Sequence, residues 1–412
     1  MPAEARPTPR LAPPRLAKPR LALILVIVFI NFAGFSLIIP LLPFYGRDLH
    51  AGPVAITLLF AAYSFGGIFG EIGWGRLSDR VGRRPVLIGA TAATALSYVA
   101  FAFVPNLALA LVVRVVTGFF SGTVGVCQSY IADVTPPEAR ARNIGLLGAA
   151  LNLGFAVGPA IGGLLASPQA GLAGYRLPIL VSAAAAAAAS LWSVLVLVES
   201  HPPGTARALP KWGEAMRLVA GHALLARLFA IAFIGIGAFA SMEAVFGLWT
   251  ARNFGWSTHA VGLTFIAVGC TGFAVQIALI GRATRRFGEA RVIVGGLCVL
   301  VLAMALQPVL RNPVAAVVLM SALMAGHSIA FPSAGALISR SIGGEVQGSV
   351  NGLLMASNAL GRIAVPPLFG AIYAMAGQDW PYYAGAALAL VAVAIGLQVV
   401  GLRDREVKGA RA

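Results

Sequence analysis

Gly75-Arg76-Leu77-Ser78-Asp79-Arg80-Val81-Gly82-Arg83-Arg84-Pro85 is a charged stretch wedged between two long apolar runs. Two hydrophobic runs joined by so short a basic connector must return across a bilayer at once, with the connector at one membrane face. The whole chain agrees: of its 412 residues 59% are hydrophobic and only 11% charged, against roughly 25% charged in a soluble domain. The composition therefore predicts an integral membrane protein. A net charge of +16 would suit a nucleic-acid binder if the basic residues clustered on a soluble surface. They lie instead in short segments between apolar runs, so no nucleic-acid partner is expected.

Working outward, twelve runs come near the roughly 20 residues that a crossing needs: about 21–45, 53–75, 86–104, 107–132, 140–166, 176–199, 224–250, 258–281, 291–310, 313–340, 347–374 and 380–402. The run after the basic leader is long enough to span, so it reads as a helix and not as a signal peptide. With both termini in the cytoplasm, 24 of the 30 lysines and arginines fall inside and four, Arg47, Arg176, Arg252 and Arg311, outside. That bias supports the orientation. Arg114 and Arg362 remain within spans.

The longest connector, rich in proline and charge, falls near the middle of the chain. It divides the sequence into a basic leader (1–20), an N-terminal six-helix half (21–199), a central linker (200–223), a C-terminal six-helix half (224–402) and a tail (403–412). The halves look duplicated. Gly75, Arg76, Arg80, Gly82, Val86 and Gly89 match Gly281, Arg282, Arg286, Gly288, Val292 and Gly295 at an offset of 206. Asn152, Gly154, Pro159 and Gly163 match Asn358, Gly361, Pro366 and Gly370 at 206 or 207. An all-α membrane protein of two pseudo-repeated six-helix halves is a transporter architecture, with its site between the halves near the midplane. Cys127, Cys270 and Cys298 sit in apolar runs and read as small packing residues; neither a disulfide nor a metal is assigned to them.

Three motifs in order carry a family resemblance. The opening stretch resembles the signature loop between spans two and three of the major facilitator superfamily. Arg114-Val115-Val116-Thr117-Gly118-Phe119-Phe120-Ser121-Gly122 resembles its span-four arginine motif, and Gly154 through Gly163 its span-five antiporter motif. Within that superfamily the chain looks like the twelve-span drug:proton antiporters. Tyr130 through Thr135, Glu138 to Arg142 and Gln347 to Gly352 are similar to the tetracycline-efflux branch. Departures from that branch are Asn31, Ser97 and Gly272, where it carries two acidic residues and a histidine. The resemblance implies the major facilitator fold in a bacterial inner membrane, with proton-driven export of an amphipathic small molecule by a monomer without cofactors. It further implies a conformational latch at Gly75, Asp79, Arg80, Gly82, Arg83 and Arg84, a charge relay including Arg114 and Asp133, and a seal between the halves at Gly154, Gly158, Pro159, Gly162 and Gly163.

Read as residues, Gly154, Gly158 and Gly162 leave a groove along one helix face for close packing, and Pro159 kinks that helix. Arg114 inside span four costs at least a few kcal/mol and should face the bundle interior with a partner. Either a charge network or backbone carbonyls would supply one. Desolvation disfavours a charged carboxylate, so an intramembrane glutamate can exchange a proton. Glu71 and Glu243 are the two candidates. Glu71, near the cytoplasmic end, also suits a structural role. Glu243, with Phe239 and Phe246 nearby, suits a substrate cation through charge and cation–π attraction, or else balances Arg252. His327 and Arg362 are the other intramembrane ionisable groups, and Arg362 suits either an anionic substrate group or an acid. Asn31, Phe35, Tyr63, Gln128 and Gln276 are further cavity candidates or helix-packing groups.

The expected function is proton-coupled export of a drug or antibiotic, possible tetracycline transport included, by alternating access. The alternative is proton-coupled or facilitated uptake of a small metabolite. No Walker-type phosphate loop is present, and scattered histidines and cysteines offer no enzymatic centre. Arg285 stands where the repeat would place Asp79, so the two connectors are electrically different and the latch is expected from the first half alone. Charge reversal Asp79→Arg is expected to impair transport in everted vesicles far more than Arg285→Asp; equal losses would refute the asymmetry.

Overall fold

The computed structural model describes residues 18–200, 212–342 and 347–409. The leader up to residue 17, much of the central linker, the last three residues and the side chains of Glu138, Asn152 and Gln347 lie outside the described residues. The described residues form α1 (Lys18–Ile38), α2 (Leu42–Asp48), α3 (Pro53–Val81), α4 (Arg83–Ala102), α5 (Leu107–Ser121), α6 (Val124–Val134), α7 (Pro137–Leu165), α8 (Arg176–Val196), α9 (Trp212–Gly221), α10 (Ala223–Phe254), α11 (Thr258–Ala274), α12 (Ile280–Phe287), α13 (Glu289–Leu306), α14 (Pro313–Arg340), α15 (Gln347–Ala376) and α16 (Trp380–Gly409). Among the described residues, twelve stretches are long and apolar enough to cross a membrane. Helices are what a bilayer permits, because lipid offers no partner to a bare peptide group. Their starts are legible: Asn106 accepts from the Leu109 N–H at 2.9 Å, Asn312 caps α14, and Pro53, Pro137 and Pro313 occupy first turns.

The spans differ from the sequence reading in four places. The opening stretch is almost entirely helix: α3 runs on to Val81 and α4 starts at Arg83, so the connector is Gly82 alone. Its φ of +102° suits glycine. Gly288, between α12 and α13, repeats that geometry with φ +78°. Span one stops at Ile38, not Tyr45, because Pro40 lacks an N–H to continue the ladder; α2 then forms separately. Span four is broken at Gly122–Thr123 into α5 and α6. Span eight passes through a π-helical turn, Val275–Leu279, before α12. Within the linker, Trp212–Gly221 is helical and packs on α10 and α15.

The first six spans pack together through α1 on α7 and α8, α3 on α5, and α4 on α8. The last six do so through α10 on α15 and α16, and α13 on α14 and α16. The two sets meet along α3 with α15 and α7 with α11. Gly154, Gly158 and Gly162 do not form that meeting. Cβ atoms there would lie 2.6 Å from the Phe29 carbonyl, 2.4 Å from that of Ala33 and 2.1 Å from that of Leu37, all on α1 of the same half. The contact between halves falls to the adjoining face: Gly163 against Gly262, and Ala156 against Gly269. A helix of 3.6 residues per turn carries both faces at once, and sequence spacing does not say which neighbour takes which.

The end where α1 begins and α16 finishes is the termini end; the other is the far end. Tight approaches between the halves gather at the far end, at Gly163 with Gly262, Gly370 with Thr57 and Pro53, and Gly247 with Pro43. Towards the termini end, Cβ atoms at Gly75, Gly145 or Gly148 would meet nothing within 4 Å.

The α3–α5 contact positions the interior site. A Cβ at Gly118 would sit 2.0 Å from the Tyr63 carbonyl, and one at Gly66 1.9 Å from that of Val115. Gly118→Ala is therefore expected to destabilise the bundle by about 1–3 kcal/mol or more, whereas Gly89→Ala, facing open space, is neutral. Thermal unfolding of the two detergent-solubilised variants checks this; a wild-type melting point for Gly118→Ala would disprove the backbone contact.

Candidate functional site

Two polar groupings interrupt the apolar bundle. At the termini end, Arg83 is 1% exposed and takes partners from two other helices, with its Nη2 left unpaired among the described residues. Its Nη1 lies 2.7 Å from Asp79 Oδ1, four residues back across the Gly82 hinge, and also donates to Ser78 Oγ; its Nε donates to Asp133 Oδ2 at 3.3 Å. The Asp133 side chain is 14% exposed and that of Asp79 35%, so solvent screens part of the set and losing one partner costs less than the roughly 3–5 kcal/mol of a fully buried pair. Glu199, at the end of the sixth span, accepts from the backbone N–H of Arg83 at 2.7 Å and of Arg84 at 3.1 Å. It thereby supplies the acceptors and negative charge that the N-terminus of α4 lacks. Arg84 donates to the Val194 carbonyl at 2.8 Å, and Arg80 is exposed.

The second half repeats this grouping with the charges exchanged. Glu289 stands where Arg83 does at offset 206, Arg340 where Asp133 does at 207. Arg340 Nη1 lies 2.6 Å from Glu289 Oε1. Two sequence expectations change here. Gly75 is mid-helix and touches nothing, so the special backbone falls on Gly82 alone. Asp133 belongs with Arg83 at the termini end, apart from Arg114.

The interior grouping draws on both halves. Arg114, 1% exposed, donates through Nε to the Leu59 carbonyl of α3 at 3.2 Å and lies over the rings of Tyr63 at 4.8 Å and Phe101 at 5.8 Å. Backbone and aromatic faces hold this cation, with no carboxylate among its partners. Tyr63 stacks on Phe35 at 4.6 Å. The broken span four brings the first N–H groups of α6 inward: Glu71 Oε2 accepts from Gly125 at 3.0 Å, and Asn31 Nδ2 donates to Thr123 Oγ1 at 3.1 Å. Glu71 thus anchors a half-helix end.

From the other half come Glu243 on α10 and Arg362 on α15, 3.8 Å apart with side chains 2% and 24% exposed. Glu243 therefore pairs with Arg362 and not with Arg252, and is not a bare anion awaiting a cationic drug. His327 on α14 stacks on Phe239 at 4.1 Å and on Phe331 at 4.4 Å. Phe246 is fully buried against Phe265 and Trp256 and does not line a cavity, because its side of α10 faces α11. Gln128 is exposed on α6, and Gln276 lies in the π-helical turn. Ser97 donates to the Thr94 carbonyl, and a side chain at Gly272 would strike Met324; neither position offers a charge.

Sequence reasoning missed Glu199 and Asn358. Glu199 caps a helix that starts more than a hundred residues earlier, and nothing local signals this. Asn358 lies one turn before Arg362, a spacing visible in the sequence. Among the described residues no group of three or more His, Cys, Asp or Glu is arranged to hold a metal.

Residues 24–250 and 228–411 each match the family model described as Major Facilitator Superfamily. Over 393 residues the chain is 32% identical to the tetracycline resistance protein, class C, of Escherichia coli, covering 90% of this chain and 95% of that protein. It is 27% identical to multidrug resistance protein 1 of Bacillus subtilis (strain 168) over 379 residues, 91% of this chain and 94% of that one. Among solved structures, a bacterial homolog of the human lysosomal transporter Spinster, in an inward-facing and unoccupied conformation, superposes with a TM-score of 0.76 at 16% identity, covering 93% of this chain and 98% of that one.

Glu199→Ala strips α4 of its acceptor pair and is expected to cost about 1–2 kcal/mol, with Glu199→Gln recovering part of it through its amide oxygen. Melting points of the two purified variants measure this. No difference between Glu199→Ala and wild type would remove Glu199 from the network.

Proposed function

The chain belongs to the major facilitator superfamily, and from that premise we propose that it exports an amphipathic small molecule in exchange for protons by alternating access. The observation that carries this reading is the Glu243–Arg362 pair, held within the bundle on two helices of the second half. A carboxylate there can be discharged either by its guanidinium neighbour or by a proton. Which of the two prevails depends on the side of the membrane from which the cleft is wet.

The orientation follows from charge. With the basic termini, connectors and linker on the cytoplasmic side, the far end faces outward, and the tight approaches between the halves there support a cytoplasm-open reading. A substrate then enters from the cytoplasm, where export begins. The relatives named for tetracycline and multidrug resistance support a drug as cargo. Asn31, Ser97 and Gly272 supply no extra charge for a metal chelate, which favours a metal-free substrate.

The termini-end network serves as the latch. Asp79, Arg83, Asp133 and Glu199 tie spans two, three, four and six into one rigid body, so the first half moves as a unit. The glycine face of α7, packed on α1, makes the same half rigid lower down, while Gly163 and Gly262 let the halves close.

In a drug-hypersensitive bacterium the wild-type chain is expected to raise the inhibitory concentration of at least one amphipathic antibiotic several-fold, and Glu243→Gln to abolish the effect at equal membrane abundance. Everted vesicles should show substrate-triggered proton release with the wild type only. Undiminished export by Glu243→Gln would exclude this carboxylate as the proton carrier.

A further inference from the structure

Glu243 and Arg362 stand 3.8 Å apart, beyond hydrogen-bond distance but within strong electrostatic reach. Glu243 is 2% exposed, and its Oε1 has no hydrogen-bond partner in the protein. One turn before Arg362, the buried Asn358 Oδ1 is equally unpartnered. Both atoms only accept, so a donor is wanted between them. Arg362 only donates, and its one ion-pair partner among the described residues is that distant carboxylate, so an acceptor is wanted beside it. The backbones fix this spacing: a Cβ at Gly361 would lie 2.7 Å from the Phe233 carbonyl, so α10 and α15 pack with little room to adjust.

We propose that this pair is a slot for a bipolar substrate. Its cationic N–H-bearing group is taken by Glu243 and Asn358, and its anionic group, a carboxylate or ionised enol, by Arg362. The proposal rests on the reading that this is the transport site. The charged or titratable groups around Glu243 are Arg362 on α15, His327 on α14, stacked on Phe239 one turn away, and Tyr63 on α3, within electrostatic reach of Arg362. On its own helix the nearest charges, Arg227 and Arg252, lie towards the two ends. Arg114 is sealed behind Tyr63 and does not substitute for Arg362.

Charge matching decides between substrate classes. A simple cation would satisfy Glu243 and strand Arg362 in a medium of low dielectric. A simple anion would satisfy Arg362 and strand Glu243 until it took up a proton, so anion and proton would travel together. A bipolar molecule satisfies both ends, and a proton on Glu243 competes with its cationic group. On binding, that proton leaves the carboxylate for cytoplasmic water, which is the competition that exchange requires.

Three dyes on one xanthene scaffold test this: rhodamine with its free benzoate (bipolar), the methyl ester of the same dye (cationic), and fluorescein (anionic). Binding is read by fluorescence anisotropy on the purified full chain, and flux in everted vesicles. Wild type is expected to bind the bipolar dye at least about tenfold more tightly than the other two. Arg362→Gln should bring it down to the level of the ester, and Arg362→Lys should keep a preference. Glu243→Gln with Arg362→Gln, which strands no charge, should bind all three alike; its melting point guards against misfolding. Equal or tighter binding of the ester by wild type, a preference surviving in Arg362→Gln, or binding of none of the dyes would overturn the proposal. Charge preference without pH-driven flux would leave the slot standing and the export reading fallen. Flux without preference would do the reverse.

Discussion

A polar group in the middle of this bundle finds no bulk solvent, and the rest of the molecule is arranged around that constraint. Each buried charge has been given something by another span. Arg114 has the Leu59 carbonyl and two aromatic faces. Glu71 has the N–H of Gly125. Arg83 has two carboxylates. They differ in the length of their contacts. Arg83, Arg114 and Glu71 make bonds within hydrogen-bond distance that tie helices together, although Arg83 Nη2 and both Arg114 Nη atoms have no partner of their own among the described residues. Glu243 and Arg362, set at 3.8 Å with a carboxylate oxygen to spare, form a looser pair, and breaking it forfeits less than breaking a tight one.

The duplication that built the chain conserved backbone more strictly than charge. Gly82 and Gly288 share a positive φ between consecutive helices. Around them Arg83 with Asp133 became Glu289 with Arg340. An ion pair is indifferent to which helix carries which sign, so exchange keeps the tie within each half. It also leaves Asp79 in the first half where the second half has Arg285, so the two connectors differ in charge at the termini end.

Small residues serve two kinds of contact on a single helix. On α7, Gly154, Gly158 and Gly162 fasten span one within a half, while Gly163 and Ala156 meet span eight across the halves. In the proposed alternating-access reading, contacts within a half persist while those across the halves open and close, so neighbouring residues about 100° apart on one helix would carry opposite duties.

The sequence by itself determined the membrane location, the number of crossings, the two-fold duplication and the identities of the intramembrane charges, because these rest on local composition, periodicity and spacing. The Gly75–Pro85 stretch was legible as a tight return, though not as two helices hinged on Gly82. Tertiary structure decided the partnerships. It set Arg362 against Glu243, drew Glu199 to a helix start more than a hundred residues away, brought Asp133 to Arg83, turned Phe246 into the core and broke span four. Each of these depends on which face of a helix meets which neighbour. A 3.6-residue period displays every face equally, and packing across long sequence separations chooses among them.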